Sequence, residues 1–333
     1  MKEITDYGKV FETLVEKTQN YVVGNNLNAM VLGISGGIDS TVVAAICHEV
    51  AKRTGIPLIG RSLPSKYNKE GETTTADLVG KAFCNDYKVF SINDLYHNIK
   101  AQITHKETGH TDFSIDDNGD IEKVENNFQT PIANGNIQAR LRMIYLYNLA
   151  SIHGGLVMDT DNLTENNLGY FTIHGDIGDF NPIGGLWKTE VFELAEWLLL
   201  HYSFQLPHNT YEATSEQLVK SGKVFQQGRA IKESLKLKPT AGLGITNNDL
   251  EEIGAESYEQ VDYILQEILA WKWLAAQRED VFESTWDMRN AFLEEQQMLD
   301  TPIEVIIAVT DRHFKSEFKR KQLPIKITRD EIL

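Results

Sequence analysis

The stretch AMVLGISGGIDS at residues 29–40 constrains this chain most. Met30, Val31, Leu32 and Ile34 form a short apolar run of the kind a parallel sheet buries on both faces. Ser35, Gly36 and Gly37 then turn the chain, and glycines there tolerate unusual φ/ψ and let backbone approach a ligand closely. Residues 41–46, TVVAAI, open a helical pattern that runs to about Arg53. The turn is thus predicted to sit at a helix N-terminus, where free N–H groups and the helix dipole attract phosphate. Asp39 adds a carboxylate, which repels bare phosphate but suits a phosphate carrying Mg²⁺. The loop is not a Walker A, since it lacks the G-x-x-x-x-G-K-[ST] pattern and its lysine.

Around this stretch the elements alternate. Val10, Phe11, Leu14, Val15 and Thr18 recur at helical spacing, predicting a first helix that ends before Gly24. Residues 57–60 read as a second strand, 73–83 as a helix and 87–92 as a third strand. Such βαβαβ order implies a parallel sheet with right-handed crossovers. Residues 136–152 form a strong helical pattern in which Ile137, Leu141, Ile144, Tyr145 and Leu149 share a face. Leu156, Val157 and Met158 make the next buried strand, and residues 189–200, 258–277 and 281–299 are further helices. Two stretches look like surface insertions. Residues 105–127 are rich in Asp, Glu, Asn and Gly, with Asn118-Gly119 marking a β-hairpin, and residues 204–237 are polar and partly helical. One domain over residues 1–333, helical from about 258 to 321, accommodates all of this.

The balance of 48 acidic against 32 basic residues gives −16. Sequence-independent nucleic-acid binding relies on basic surface, so that class is disfavoured. The N-terminal stretch is charged and amphipathic with no apolar signal core, and no apolar run is long enough for a bilayer, so a cytoplasmic protein without a membrane partner is expected. Two cysteines, Cys47 and Cys84, make neither a disulfide framework nor a CxxC zinc site, and Cys47 is expected to pack.

SGGIDS resembles the pyrophosphate loop of the ATP-pyrophosphatase superfamily, whose members cut ATP between its α- and β-phosphates and adenylate a substrate. Five segments, in order, resemble one branch of it, the NAD synthetases: VLGISGGIDST at 31–41, GNIQARLRM at 135–143, TDNLTEN at 160–166, GYFTIHGDIGDFNPIGGLWKTE at 169–190 and KPTAGLG at 238–244. A weaker match, LEEIGAESYEQVD, covers 250–262. The resemblance implies an α/β fold, a Rossmann-like parallel sheet flanked by helices of the adenine nucleotide alpha-hydrolase type. It also implies ATP-dependent amidation of deamido-NAD by ammonia through an acyl-adenylate, releasing AMP and pyrophosphate. The wording NPIGGLWKTE is closer to glutamine-dependent members, yet only about thirty residues precede the loop, too few for their glutaminase domain. A free-standing, ammonia-supplied homodimer is expected, fed by free ammonia or by a separate glutaminase.

The same resemblance assigns residues. Gly33, Ser35, Gly36, Gly37, Ser40, Thr160, Lys188 and Thr240 would hold ATP, together with Asp39. Asp39 and Glu165 would bind Mg²⁺, and Asp39 and Lys188 would serve catalysis. Tyr21, Asn136, Arg140, Asp179 and Lys319 match positions that hold deamido-NAD. On their own terms Glu165 could be a solvated loop acid and Lys188 a surface lysine. A cation at a helix start is opposed by the dipole, however, which favours an anion beside Lys188. Arg140 and Arg142 lie two residues apart on one helix and face different ways; Arg140 is assigned to the ligand and Arg142 to a structural salt bridge. Two departures fall near the second substrate, Ile173 where the family often has Lys and Phe318 where it has His. The rival readings are the same chemistry on nicotinate mononucleotide or another acid, a tRNA-modifying relative, and a catalytically silent nucleotide-binding protein.

Overall fold

A computed structural model describes residues 3–103, 113–115, 121–123, 129–204, 215–238, 249–298, 300–321 and 323–333. The chain begins with α1 (Tyr7–Gly24), started by the Asp6 carboxylate accepting the Lys9 N–H at 3.0 Å. Then come β1 (Met30–Gly33), α2 (Ile38–Thr54), β2 (Leu58–Ser62), α3 (Glu70–Phe83), β3 (Asp86–Val89) and α4 (Asn93–Ile103). After them follow β4 (Phe113–Ile115), β5 (Ile121–Lys123), α5 (Gln129–His153), β6 (Leu156–Met158), α6 (Leu163–Leu168), β7 (Phe180–Asn181) and α7 (Lys188–Phe204). The rest is α8 (Ser215–Leu235), α9 (Asp249–Ile253), α10 (Tyr258–Gln277), α11 (Thr285–Glu295), α12 (Ile303–Lys315), α13 (Glu317–Arg320), β8 (Ile325–Lys326) and α14 (Arg329–Ile332).

Six strands form one parallel sheet in the order β3-β2-β1-β6-β7-β8. Met30 pairs with Leu58 on one side and Leu156 on the other, so β1 is central, as its unbroken apolar run predicts. Val31 and Leu32 are fully buried, on opposite faces, in two separate clusters. The chain leaves β1 towards β2 and β3, and later returns to place β6 on the opposite flank. That reversal opens a crevice at the carboxyl ends of β1 and β6, where open α/β sheets bind ligands.

Three local readings change. The third strand runs Asp86–Val89 rather than 87–92, and Ile92, just ahead of α4, donates its N–H to the Pro64 carbonyl beyond the end of β2. In α5, Ile144 is exposed while Ala139, Met143, Leu146 and Ala150 are buried: apolar residues stand on both sides of this helix, so spacing alone does not select the inner face. The polar stretch 204–237 contains α8, which packs against α7 and α3 with Ala230, Ile231 and Ser234 buried. The hairpin is present as the antiparallel pair β4–β5, Ile115 opposite Ile121; its Asn118-Gly119 turn lies outside the described residues. Among the described residues no helix is long and apolar enough to cross a membrane.

Candidate active site

The loop after β1 is shaped by its glycines. Gly36 has φ +87°, and a Cβ there would meet the Glu72 carbonyl oxygen at 2.5 Å, so α3 and the loop close on each other only around glycine. Gly37 begins α2 with no side-chain cap, which leaves the first-turn amides for a ligand. Ser35 Oγ lies 3.0 Å from Ser40 Oγ and accepts the Gly37 N–H at 3.2 Å, and Ser40 Oγ donates to the Gly37 carbonyl at 3.1 Å. These bonds fix the loop before any phosphate arrives.

A cavity of about 290 Å³ lies over this loop. Gly33, Ser35, Gly37, Asp39, Thr160, Glu165 and Lys188 all line it, so seven of the residues read from sequence converge from three separate segments. Ser40 is buried beneath the loop, and Thr240 lies outside the described residues.

Its floor is a charge array. Lys188 Nζ donates to Asp39 Oδ2 at 2.6 Å and to Glu165 Oε1 at 3.0 Å, and it is only 1% exposed. The anion expected beside this lysine is thus supplied first by the chain itself. Burial disfavours the ammonium, but Asp39 and Glu165 outweigh it and hold Lys188 well above its ordinary range. Burial raises Glu165 to about 7, with Asp39 adding to the rise and Lys188 opposing it.

The backbone around the array is tied as well. Asn162 caps α6 by accepting the Glu165 N–H at 3.0 Å, and Glu165 Oε2 accepts the Asn162 N–H at 3.1 Å in return. The same Asn162 donates through Nδ2 to Asp39 Oδ1 at 2.8 Å. At the start of α7, Lys188 N–H donates to Thr164 Oγ1 at 2.8 Å, Thr164 bonds the Asp262 carboxylate, and Asp262 also accepts the Thr189 N–H at 3.1 Å. Asn162 and Asp262 are positioning residues that the sequence reading did not single out.

Three more residues line the cavity: Asp161 and Asp176, which that reading gave no role, and Arg142, which it assigned to a structural salt bridge. Among the described residues Arg142 forms no salt bridge; its bonds go to the Leu63 carbonyl at 3.0 Å and to Asn68 Oδ1 at 3.3 Å. Spacing shows that Arg140 and Arg142 diverge but not which one turns inward. Asp161 is 8% exposed, and its Oδ2 has no hydrogen-bond partner among the described residues. Burial, with Asp159, Glu165, Asp176 and Asp39 around it, raises Asp161 well above the carboxylate range. Burial likewise raises Asp176. Their only sequence signal is position, in polar turns beside strand ends.

Burial and the neighbouring carboxylates oppose ionisation of Asp161 in the fold. Its ordinary value is 3.8, and the folded value is higher, so the folded state is penalised increasingly as pH rises above about 4. Asp161→Asn is therefore expected to raise the melting temperature of the ligand-free protein, by roughly 2–4 °C for about 1–2 kcal/mol. The gain should be larger at pH 8 than at pH 5. A gain that is absent, or that shrinks with pH, contradicts the charge assignment.

The five residues matched to deamido-NAD do not line the loop cavity. Tyr21 stacks on Phe180 at 4.3 Å between centroids, and Asp179 Oδ2 accepts the Val157 N–H at 2.8 Å. Asp179 lines a separate pocket of about 570 Å³ with Tyr147, His174 and Pro324. Asn136 Oδ1 accepts from Thr172 Oγ1 at 2.7 Å, and exposed Arg140 donates to the Ile173 carbonyl at 3.3 Å. Lys319 donates to the Gly169 and Phe171 carbonyls at 2.8 and 2.7 Å. All but Lys319 lie in or against residues 172–180, and Lys319 ties down the 169–171 end of the same segment.

A family model described as NAD synthase matches residues 10–323. The NH(3)-dependent NAD(+) synthetase of Methanococcoides burtonii is 31% identical over 249 residues, 74% of each chain. That of Pyrococcus horikoshii is 29% identical over 323 residues, 97% of this chain and 95% of the relative. Among solved structures, NMN synthetase from Francisella tularensis has a TM-score of 0.64 at 24% identity, covering 95% of this chain and 97% of that one, a likeness of fold.

Proposed function

Because the chain belongs to the NAD synthase family, we propose that it is an ATP-dependent ligase that amidates deamido-NAD with ammonia. One observation carries the site assignment: the uncapped start of α2 and the Asp39–Lys188–Glu165 array open on one cavity. The nicotinic acid carboxylate attacks the α-phosphorus of ATP and pyrophosphate leaves. Ammonia then attacks the acyl-adenylate carbonyl and AMP leaves, giving the amide. The chain supplies positioning and charge stabilisation rather than a nucleophile.

The amides of the loop and of the first turn of α2 hold the departing phosphates, and the Ser35–Ser40 pair keeps that loop in shape. Among the described residues no cluster of three His, Cys, Asp or Glu forms a protein-only metal cage. Two carboxylates beside a phosphate loop are the donor set that suits Mg²⁺ shared with ATP phosphates, and the partnerless Oδ2 of Asp161 is a further carboxyl oxygen on the same cavity. Asp39 and Glu165 would hold the ion, which would neutralise charge on the departing pyrophosphate. Asp161 and Asp176, raised by burial, can take the proton that ammonium must lose. The segment 169–180 receives the dinucleotide, and the active form is a homodimer.

Purified protein with ATP, Mg²⁺ and ammonia is expected to yield NAD and AMP from deamido-NAD. Faster turnover of nicotinate mononucleotide would assign the other acid, and failure to release AMP with either would favour the silent nucleotide-binding reading. Glutamine as sole nitrogen source is expected to give no product. Cys47 is fully buried among the core residues of α2, and burial raises its thiol. Burial raises Cys84 to about 12, so neither offers the thiolate a glutaminase needs. Glutamine turnover lost on replacing a cysteine by serine would overturn this.

Arg140→Ala is expected to raise KM for deamido-NAD about tenfold and leave KM for ATP unchanged, the scale of one lost guanidinium–anion bond. Equal loss for both substrates would return Arg140 to a structural role.

A further inference from the structure

Two of the helices that start at the catalytic cavity, α2 and α7, also border a second one. Between α1, α2, α7 and α8 lies a cavity of about 640 Å³, lined by Phe11, His48, Trp197, Tyr202, Lys223 and Gln227 among others. That volume is typical of small-molecule sites. Its wall is aromatic: Trp197 lies 5.7 Å from Phe11 and stacks on His201 at 4.8 Å between ring centroids.

The polar groups of this wall are unanswered. Gln227 is 4% exposed and Tyr202 7%, and neither side chain has a hydrogen-bond partner among the described residues. His48 is 6% exposed, with Nδ1 2.7 Å from the Phe83 carbonyl. A carbonyl only accepts, so Nδ1 carries the proton and Nε2 is left as a bare acceptor. Lys223 is exposed and forms no ion pair among the described residues. The two rim acids are already matched, Glu12 by Arg53 at 2.6 Å and Glu49 by Lys52 at 2.6 Å, so Lys223 sets the local sign.

The placement of these groups joins the two cavities. Asp39 stands in the first turn of α2, and His48 follows it nine residues later. Lys188 opens α7, and Trp197 again follows nine residues later. At about 1.5 Å per residue each helix separates the two sites by roughly 14 Å. The third helix does the same: α8 carries Lys223 and Gln227, its Ser234 Oγ lies 2.7 Å from Thr41 Oγ1, and Leu237 and Lys238 beyond it line the catalytic cavity.

We infer that this second cavity is a regulatory site for a small planar aromatic anion bearing an O–H or N–H donor, coupled through α2, α7 and α8 to the Asp39–Lys188 pair. The ring packs on the aromatic wall, the anionic group meets Lys223, and the donor meets His48 Nε2.

The test uses the full chain and 4-hydroxybenzoate as probe, with benzoate lacking the donor and 4-hydroxybenzyl alcohol lacking the charge. Titration calorimetry is expected to show saturable one-to-one binding of 4-hydroxybenzoate, weaker binding of both analogues, and about tenfold loss in Lys223→Glu and in Gln227→Leu. Saturating probe is expected to shift KM for ATP about fivefold in the unmodified protein and not in Lys223→Glu. Lys223 is exposed, so that variant reports on binding even if Gln227→Leu fails to fold. No saturable binding at millimolar probe, or binding unchanged in Lys223→Glu, overturns the site. Binding that leaves KM and kcat unchanged overturns the coupling. Calorimetry needs no turnover, so failure of the ligase assignment would show separately.

Discussion

Asp39→Asn and Glu165→Gln are each expected to lower kcat about 10³-fold with the fold retained. The scale is that of removing one preorganised electrostatic contact from a transition state, with a metal ligand at its upper end. Each carboxylate sits where charge leaves with pyrophosphate, and each touches Lys188. Substitution removes a negative partner and leaves Lys188 facing an amide, so loss of metal affinity and misplacement of the lysine act together. Circular dichroism should match the unmodified protein, because each change exchanges a half-buried carboxylate for an amide of the same shape. AMP release near normal at millimolar Mg²⁺ in either variant would remove both residues from the metal assignment.

Lys188→Met is expected to produce the largest loss of stability, about 3–5 kcal/mol, because it removes a buried cation and leaves the half-buried Asp39 and Glu165 carboxylates without their counter-charge. The melting temperature should fall by roughly 5–10 °C. The sign of its pH dependence follows from Glu165. That carboxyl has an ordinary value of 4.5 and is raised to about 7 in the fold, so the folded state binds more protons than the unfolded state between those values. Stability tied to Glu165 is full below about 4.5 and declines as pH rises through 7. Removing Lys188 raises the folded value further and widens that window, so the deficit should be greater at pH 8 than at pH 5.5. An equal deficit at both pH values, or none, would show that the lysine is not the counter-charge of the pair.

The centre of the fold was legible because it is written in continuous apolar runs. β1, β2 and β6 are buried on both faces, and a run such as Met30-Val31-Leu32 has few other uses in a chain of this composition. β7 and β8 were not legible: two residues each, Phe180-Asn181 and Ile325-Lys326, carry no period. At the site, the phosphate loop, Glu165 and Lys188 came from ordered motifs, and they line one cavity. Arg142 did not, since rotation about the α5 axis is set by packing partners far away in sequence. Asn162 lay inside the segment TDNLTEN but was given no role there. Its actual work, joining Asp39 to Glu165, depends on β1 and β6 lying side by side, which no local window contains.

Glu165 divides its two oxygens between different tasks: Oε2 closes the first turn of α6 against Asn162, and Oε1 reaches Lys188. A six-residue helix has little strength of its own, so this side chain is both a peg for local backbone and a pole of the charge array. The two tasks need the full length of the arm. Aspartate in its place would keep the charge and yet have to release one end, either loosening the turn that aims the group or withdrawing from the lysine. The position is therefore intolerant of the mildest exchange, and any chain that drifts here loses geometry and electrostatics in one step.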